Sequence, residues 1–282
     1  AIFDAGNGAT AATTLKEAAA AAGISVGVAT WAKDFYDGVA PETLMAQEFD
    51  RLYTAGNAHG VTNGFHPSAD TWNWARNDLV ATLADANNMT LHAVQLVYKT
   101  EASWIDALSN TAIETAMVAH IDQIIGHYQT AFPNLPIMFN VANETVGATP
   151  SEPWANWLWY QAMGEEYVTK AFNAARTAAP NAKLYYNDNG NGAWDTWNLK
   201  WDAIQGLVEG LLENNVPLDG VGFQMHPSPY KWPTQSDIIT RFEAFEALGL
   251  EVMVTELFVA TNDFAATSEE RVAIQVQKYR EV

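Results

Sequence analysis

Cysteine is absent from the 282 residues. Disulfide frameworks, thiolate metal sites and cysteine nucleophiles are therefore excluded together. Cations are scarce as well: 14 Lys and Arg face 33 Asp and Glu, a formal net charge of −19 with histidine neutral. So acidic a surface repels nucleic-acid phosphates and anionic lipid, and neither partner is expected. No apolar run approaches the roughly 20 residues a spanning helix needs. The first residues, AIFDAGNGAT, have neither the basic start nor the apolar stretch of a signal peptide. Pro/Ser-rich linkers, charge blocks and low-complexity tracts are missing too, which argues for one domain, 1–282.

What the chain does hold is apolar and aromatic: 49% hydrophobic residues, with 11 Trp, 10 Tyr and 12 Phe. Flat rings beside carboxylates suit a sugar-binding cleft, although most rings in any chain belong to its core. Seven β-rich runs punctuate the sequence. They are Ile24–Thr30, Phe49–Gly56, and the stretches beginning at Leu91, Leu135, Ala182, Leu218 and Leu250. Helical patterns such as TAIETAMVAHIDQIIGHYQTAF and EEYVTKAFNAARTAA lie between them. Repeated βα units give an α/β protein, either a doubly wound sheet or a (β/α)8 TIM barrel.

The carboxylates favour the barrel. Asn143 and Glu144 close the apolar run LPIMFNVAN, and Glu256 sits at the corresponding end of LEVMVTELFV. In a barrel the C-terminal strand ends converge on one face, where two such glutamates can meet across a pocket. Paired carboxylates flanking a scissile bond are the apparatus of glycoside hydrolysis. The bland alternative, a salt bridge, has only 14 cations to draw on. A metal site would need His or Asp beside these glutamates; only His226 ends a strand, so no metal and no cofactor is expected.

These segments resemble the clan A retaining glycosidases, and several resemble glycoside hydrolase family 10, the endo-β-1,4-xylanases. GVGFQMH (Gly220–His226), LYYND (Leu184–Asp188), WNWARNDLVATLADANNM (Trp72–Met89) and MGEEYVTKAFNAARTAAPNAKLYYND are similar to family segments in the right order, from about Thr14 onward. The resemblance implies Glu144 as acid/base and Glu256 as nucleophile of a double displacement. It implies that Asn143 holds the sugar 2-hydroxyl, that His226 bonds the nucleophile, and that Gln224 supports the acid/base side. Asn57 would bind sugar beyond the cleavage point. Such a mechanism needs the two carboxyls about 5–5.5 Å apart.

The departures cluster on the non-reducing side of the cut. The family's Lys three residues after its strand-two Asn is Gly60 here, its strand-three His and Trp are Val94 and Tyr98, and its next His is Lys99. On strand four the family's Trp-Asp is Phe139-Asn140. Tyr98 can still stack on a sugar and offer a hydroxyl. A retained catalytic set with altered sugar contacts favours an altered substrate over a dead enzyme, and the expectation is a retaining endo-glycosidase on β-1,4-xylan or a related β-linked polysaccharide. The alternatives are the same chemistry on a mixed-linkage, decorated or algal polysaccharide, or a catalytically silent sugar-binding barrel.

Lesser signals read as structure. His120 and His127, seven apart on one helix, are expected at the surface or in helix packing, and His92 deeper in the core. His59, His66 and Lys99 read as solvated loop residues, the alternative being contact with a decorated or differently linked sugar. NDNGNGAWD lacks the glutamate a calcium loop needs at its twelfth position. Asn88 and Asn143 each open a glycosylation sequon to which no role is given. Trp154, Trp157, Trp159, Trp194, Trp197 and Trp232 lie in or near loops after strands four to six and could floor leaving-group subsites. The expected protein is a secreted monomer acting on a polysaccharide. Seven βα units are visible and no eighth, so either a longer parent chain or closure by another segment is expected.

Overall fold

The computed structural model describes residues 14–30, 42–190, 197–226, 233–259 and 267–281. Its elements run α1 (Leu15–Ala21), β1 (Gly27–Thr30), α2 (Glu42–Glu48), β2 (Arg51–Thr54), α3 (Ala75–Ala86) and β3 (Thr90–Ala93). They continue with α4 (Ser103–Asp106), α5 (Asn110–Ala131), β4 (Ile137–Asn143), β5 (Val146–Thr149), β6 (Glu152–Trp154), α6 (Leu158–Met163) and α7 (Glu166–Ala178). The last are β7 (Lys183–Asn189), α8 (Trp197–Glu213), β8 (Gly220–Met225), α9 (Gln235–Ala247), β9 (Glu251–Leu257) and α10 (Ser268–Glu281). All seven strands read from the sequence are present. No helix among the described residues is long and apolar enough to cross a membrane.

The residues form two compact units. One holds the described residues up to Ala142 together with Trp157–Leu184; the other holds Asn143–Asn156 and the described residues from Tyr185 onward.

In the first unit β1, β2, β3 and β4 pair in that order, all parallel. Helix α5 starts on a Ser109 cap and buries Ile113, Met117, His120, Ile121, Ile124, Ile125 and Tyr128. It packs with α7, whose buried face is Tyr167, Val168, Ala171, Phe172 and Ala175. The apolar run that begins at Leu91, LHAVQLVY, continues to Tyr98, but regular strand stops at Ala93. The reason lies at Val94, whose carbonyl is taken by the His59 backbone N–H at 3.1 Å and by His59 Nδ1 at 2.8 Å instead of by a strand.

That bond also corrects the reading of two histidines. His59 and His66 are 0% and 2% exposed, not solvated. His59 donates through Nδ1 to Val94 O, so its Nε2 accepts the Tyr128 hydroxyl at 2.6 Å. His120, also buried, donates Nε2 to the His59 carbonyl at 2.7 Å, and His66 Nδ1 lies 2.9 Å from His120 Nδ1. Burial holds the imidazole of His59 down to about 4 and those of His92 and His120 to about 3. His92 is fully buried, as expected of a structural residue.

In the second unit β7, β8 and β9 pair in parallel. Side chains alternate along β8. Val221, Phe223 and Met225 are buried, with Phe223 stacked on Trp201 of α8 at 3.8 Å and edge-on to Phe245 of α9 at 5.6 Å. Gly220, Gly222 and Gln224 take the opposite face. A hairpin that the sequence reading missed, β5–β6, follows β4.

Four helices, two in each unit, end in the same way. Gly23, Asn88, Asn215 and Gly249 each stand two residues beyond a helix end with φ of 74, 53, 56 and 82°. Glycine and asparagine tolerate this left-handed turn, which ends the helix and delivers the chain to the next strand.

Candidate active site

The second unit brings together Asn143, Glu144, Gln224, His226 and Glu256, five of the seven expected site residues. They stand at the C-terminal ends of β4, β8 and β9, and each end is prepared by local sequence.

On β4 the run Ile137–Asn143 is buried almost throughout and Asn143 is 0% exposed. Glu144 then turns at φ 50°, a conformation that a glutamate adopts only when the surroundings impose it. Its backbone N–H is fixed to Asn187 O at 2.9 Å, and its side chain is half-buried.

On β8 the two glycines clear room for β7. A Cβ on Gly220 would stand 2.4 Å from the Tyr185 ring, and one on Gly222 would stand 2.3 Å from Asn187 Oδ1. Gln224 follows on the same face, and His226 stands two residues further on, just past the strand.

On β9 the register slips. Phe223 pairs with Val254 but Gln224 pairs with Glu256, leaving Thr255 as the extra residue of a bulge. Adjacent strand residues ordinarily face opposite ways; a bulge re-aims them. Here Thr255 and Glu256 both reach Asn187. The Thr255 hydroxyl donates to Asn187 Oδ1 at 2.6 Å, and Asn187 Nδ2 donates to Glu256 Oε1 at 3.3 Å.

The result is a ladder of amides between the two carboxylates. Gln224 Nε2 donates to Glu144 Oε1 at 2.9 Å and to Asn143 Oδ1 at 3.2 Å. Asn187 Nδ2 donates to the same Asn143 oxygen at 2.8 Å and to Glu256. His226 Nε2 donates to Glu256 Oε2 at 2.8 Å, so both oxygens of Glu256 face donors. Asn187 received no role in the sequence reading. Its signal was its position, one residue before the aspartate of LYYND on a buried strand.

Asn57 and Tyr98 belong to the first unit. Asn57 is turned inward: Nδ2 donates to Lys99 O at 3.0 Å, and Oδ1 is buried where a Cβ on residue 60 would fall, 1.9 Å from it. Glycine in place of the family's lysine is what makes room for it. Tyr98 is half-buried, edge-on to Trp157 at 5.4 Å, and its carbonyl accepts Trp159 Nε1. Lys99 is exposed, 3.8 Å from Glu101. Trp159 is buried at 1%, a core residue, whereas Trp154 is half-buried. Trp194 and Trp232 lie outside the described residues, as does much of NDNGNGAWD. Among the described residues no three His, Asp or Glu converge as a metal's ligands would.

The model of glycosyl hydrolase family 10 matches residues 14–282. A β-1,4-xylanase of Dictyoglomus thermophilum is 30% identical over 252 residues, covering 85% of this chain and 67% of that protein. Endo-1,4-beta-xylanase A of Humicola insolens is 30% identical over 251 residues, covering 83% and 62%. Among solved structures, the intracellular xylanase of Thermoanaerobacterium saccharolyticum is 26% identical with a TM-score of 0.78, covering 91% of this chain and 79% of that one. A psychrophilic family 10 endo-β-1,4-xylanase is also 26% identical, with a TM-score of 0.81 and coverage of 96% and 84%. The fold is thus α/β, of the (β/α)8 barrel kind. The chain spans two thirds or less of several curated relatives, 62% of one and 46% of another.

Proposed function

Because the chain belongs to glycosyl hydrolase family 10, we propose that it cleaves β-1,4-xylan internally, with retention, using Glu144 as acid/base and Glu256 as nucleophile. The observation that carries this reading is the amide ladder, which gives the two glutamates different surroundings. Glu256 receives Asn187 and His226, one donor on each oxygen, as a nucleophile that must stay ionised requires. Glu144 receives the Gln224 amide and sits on a turn fixed by its own backbone.

In the first step a Glu256 oxygen bonds to the anomeric carbon while the Glu144 proton passes to the glycosidic oxygen and the C–O bond breaks. In the second, water attacks the anomeric carbon, Glu144 takes a proton from it, and the bond to Glu256 breaks. Asn143, held between Asn187 and Gln224, is positioned for the 2-hydroxyl, where a hydrogen bond strengthens in the transition state. Xylan is favoured by the names of the relatives. A polymer is met outside the cell, which supports secretion, and the acidic chain is read as a monomer.

The test is reducing-sugar release from xylan with product anomers followed by NMR, in wild type and Glu256→Ala. The β-anomer should appear first, and Glu256→Ala should be inactive. Wild type that binds xylo-oligosaccharides without cutting them, an α-anomer appearing first, or an active Glu256→Ala protein would each sink the reading. Culture fractionation and size-exclusion chromatography check secretion and the monomer.

A further inference from the structure

One carboxylate in the second unit has no part in the mechanism above. Asp188, next to Asn187 on β7, is 0% exposed, and its cation is Lys200 of α8, itself 3% exposed. Buried ion pairs are costly to assemble and need every lone pair satisfied. Here they are. Asp188 Oδ1 faces Lys200 Nζ at 3.1 Å and the Asn189 N–H at 2.7 Å. Oδ2 accepts the Tyr186 hydroxyl at 2.5 Å and the Val146 N–H at 3.2 Å. Four donors on two oxygens leave no acceptor for a carboxyl proton, so Asp188 is a carboxylate. Since Tyr186 spends its hydrogen on Asp188, its oxygen must accept from the Thr145 hydroxyl, 2.7 Å away.

Residues 145 and 146 immediately follow Glu144. Asp188 therefore holds the left-handed turn at two successive points, directly at Val146 N and through Tyr186 at Thr145. Asn187, its neighbour, fixes the Glu144 N–H at a third. The charged groups facing Asp188 among the described residues are Lys200 from α8 and Glu144 itself. Burial raises the Asp188 carboxyl, Lys200 and the Tyr186 hydroxyl oppose that, and the charge of Glu144 adds to it.

We propose that Asp188, neutralised by Lys200, is the positioning residue for Glu144: it clamps the Glu144–Val146 turn and balances the charge beside the acid. This rests on the assignment of Glu144 above, and the experiment separates the two.

Proton donation matters for a poor leaving group and hardly at all for a good one. kcat/KM is measured on phenyl and 2,4-dinitrophenyl β-xylobiosides across pH, with folding checked by circular dichroism. Asp188→Asn should lose about tenfold or more on the phenyl substrate and less than about twofold on the dinitrophenyl one. It leaves Lys200 uncompensated, so the basic limb of the profile should move down by about half to one pH unit. Asp188→Asn with Lys200→Met should return the limb towards wild type. Tyr186→Phe, which alters no charge, should give a leaving-group-dependent loss with the limb unmoved; it serves alone if Asp188→Asn does not fold. A loss equal on both substrates and at every pH, or no loss, overturns the inference. Glu144→Gln is the control. If it too shows no dependence on leaving group, the acid/base assignment is what has failed.

Discussion

The Asn187 amide donates to the Asn143 carbonyl oxygen at 2.8 Å, and through that bond the ends of β4 and β7 share one hydrogen-bonded layer with Glu256. Asn187 accepts from Thr255 and donates both of its amide hydrogens, to Asn143 and Glu256. It is more central to the arrangement than either residue it joins.

Asn187→Ala removes a donor from the nucleophile and the support of Asn143 together. A fall in kcat/KM on xylo-oligosaccharides of about a hundredfold is expected, the usual scale for a lost donor at a centre of developing charge. Steady-state kinetics check it; a change below about threefold would leave the ladder without catalytic meaning.

Gly222→Ala places a methyl 2.3 Å from Asn187 Oδ1 and 2.6 Å from Thr255 Cγ2. The strain should lower stability by about 1–3 kcal/mol, as overpacking typically does. Activity should fall further than stability, because the atoms displaced are those that aim Glu256. Urea unfolding and kinetics on one preparation separate the two effects.

The buried histidines set an acid limit on the first unit. Unfolded, each titrates near its ordinary value of 6.5; folded, His59 is held to about 4 and His92 and His120 to about 3, chiefly by burial. Below 6.5 the unfolded chain binds more protons than the folded one, so stability falls as pH falls. The loss runs from about pH 6.5 towards the folded values, at roughly 1.4 kcal/mol per pH unit for each histidine. Thermal unfolding between pH 7.5 and 5 should show this, with a shallower slope in His120→Gln. A flat profile would contradict the buried neutral assignment.

Much of this was legible beforehand. Strands announced themselves as apolar runs, and Glu144 and Glu256 as charges where such runs end. What could not be read depended on partners distant in sequence. His59 and His66 look like loop residues until the Val94 carbonyl and the Tyr128 hydroxyl, 35 and 69 positions away, are seen to hold His59 inside. Asn57 keeps its identity, yet glycine at position 60 lets it fold inward onto Lys99 O. Asn187 and Asp188 lie on a strand that periodicity identifies, but periodicity is silent on hydrogen bonds across strands.

The bulge at Thr255 divides β9 into two phases. Up to Val254 the strand keeps the pairing that serves packing, and beyond it two consecutive side chains serve one asparagine. Length at this point therefore matters more than identity. Without the slip Thr255 would pair with Gln224 and Glu256 with Met225, turning the carboxylate off the layer although every residue were unchanged. Comparisons of such chains that score only matched letters would miss this, since the information is carried by a count.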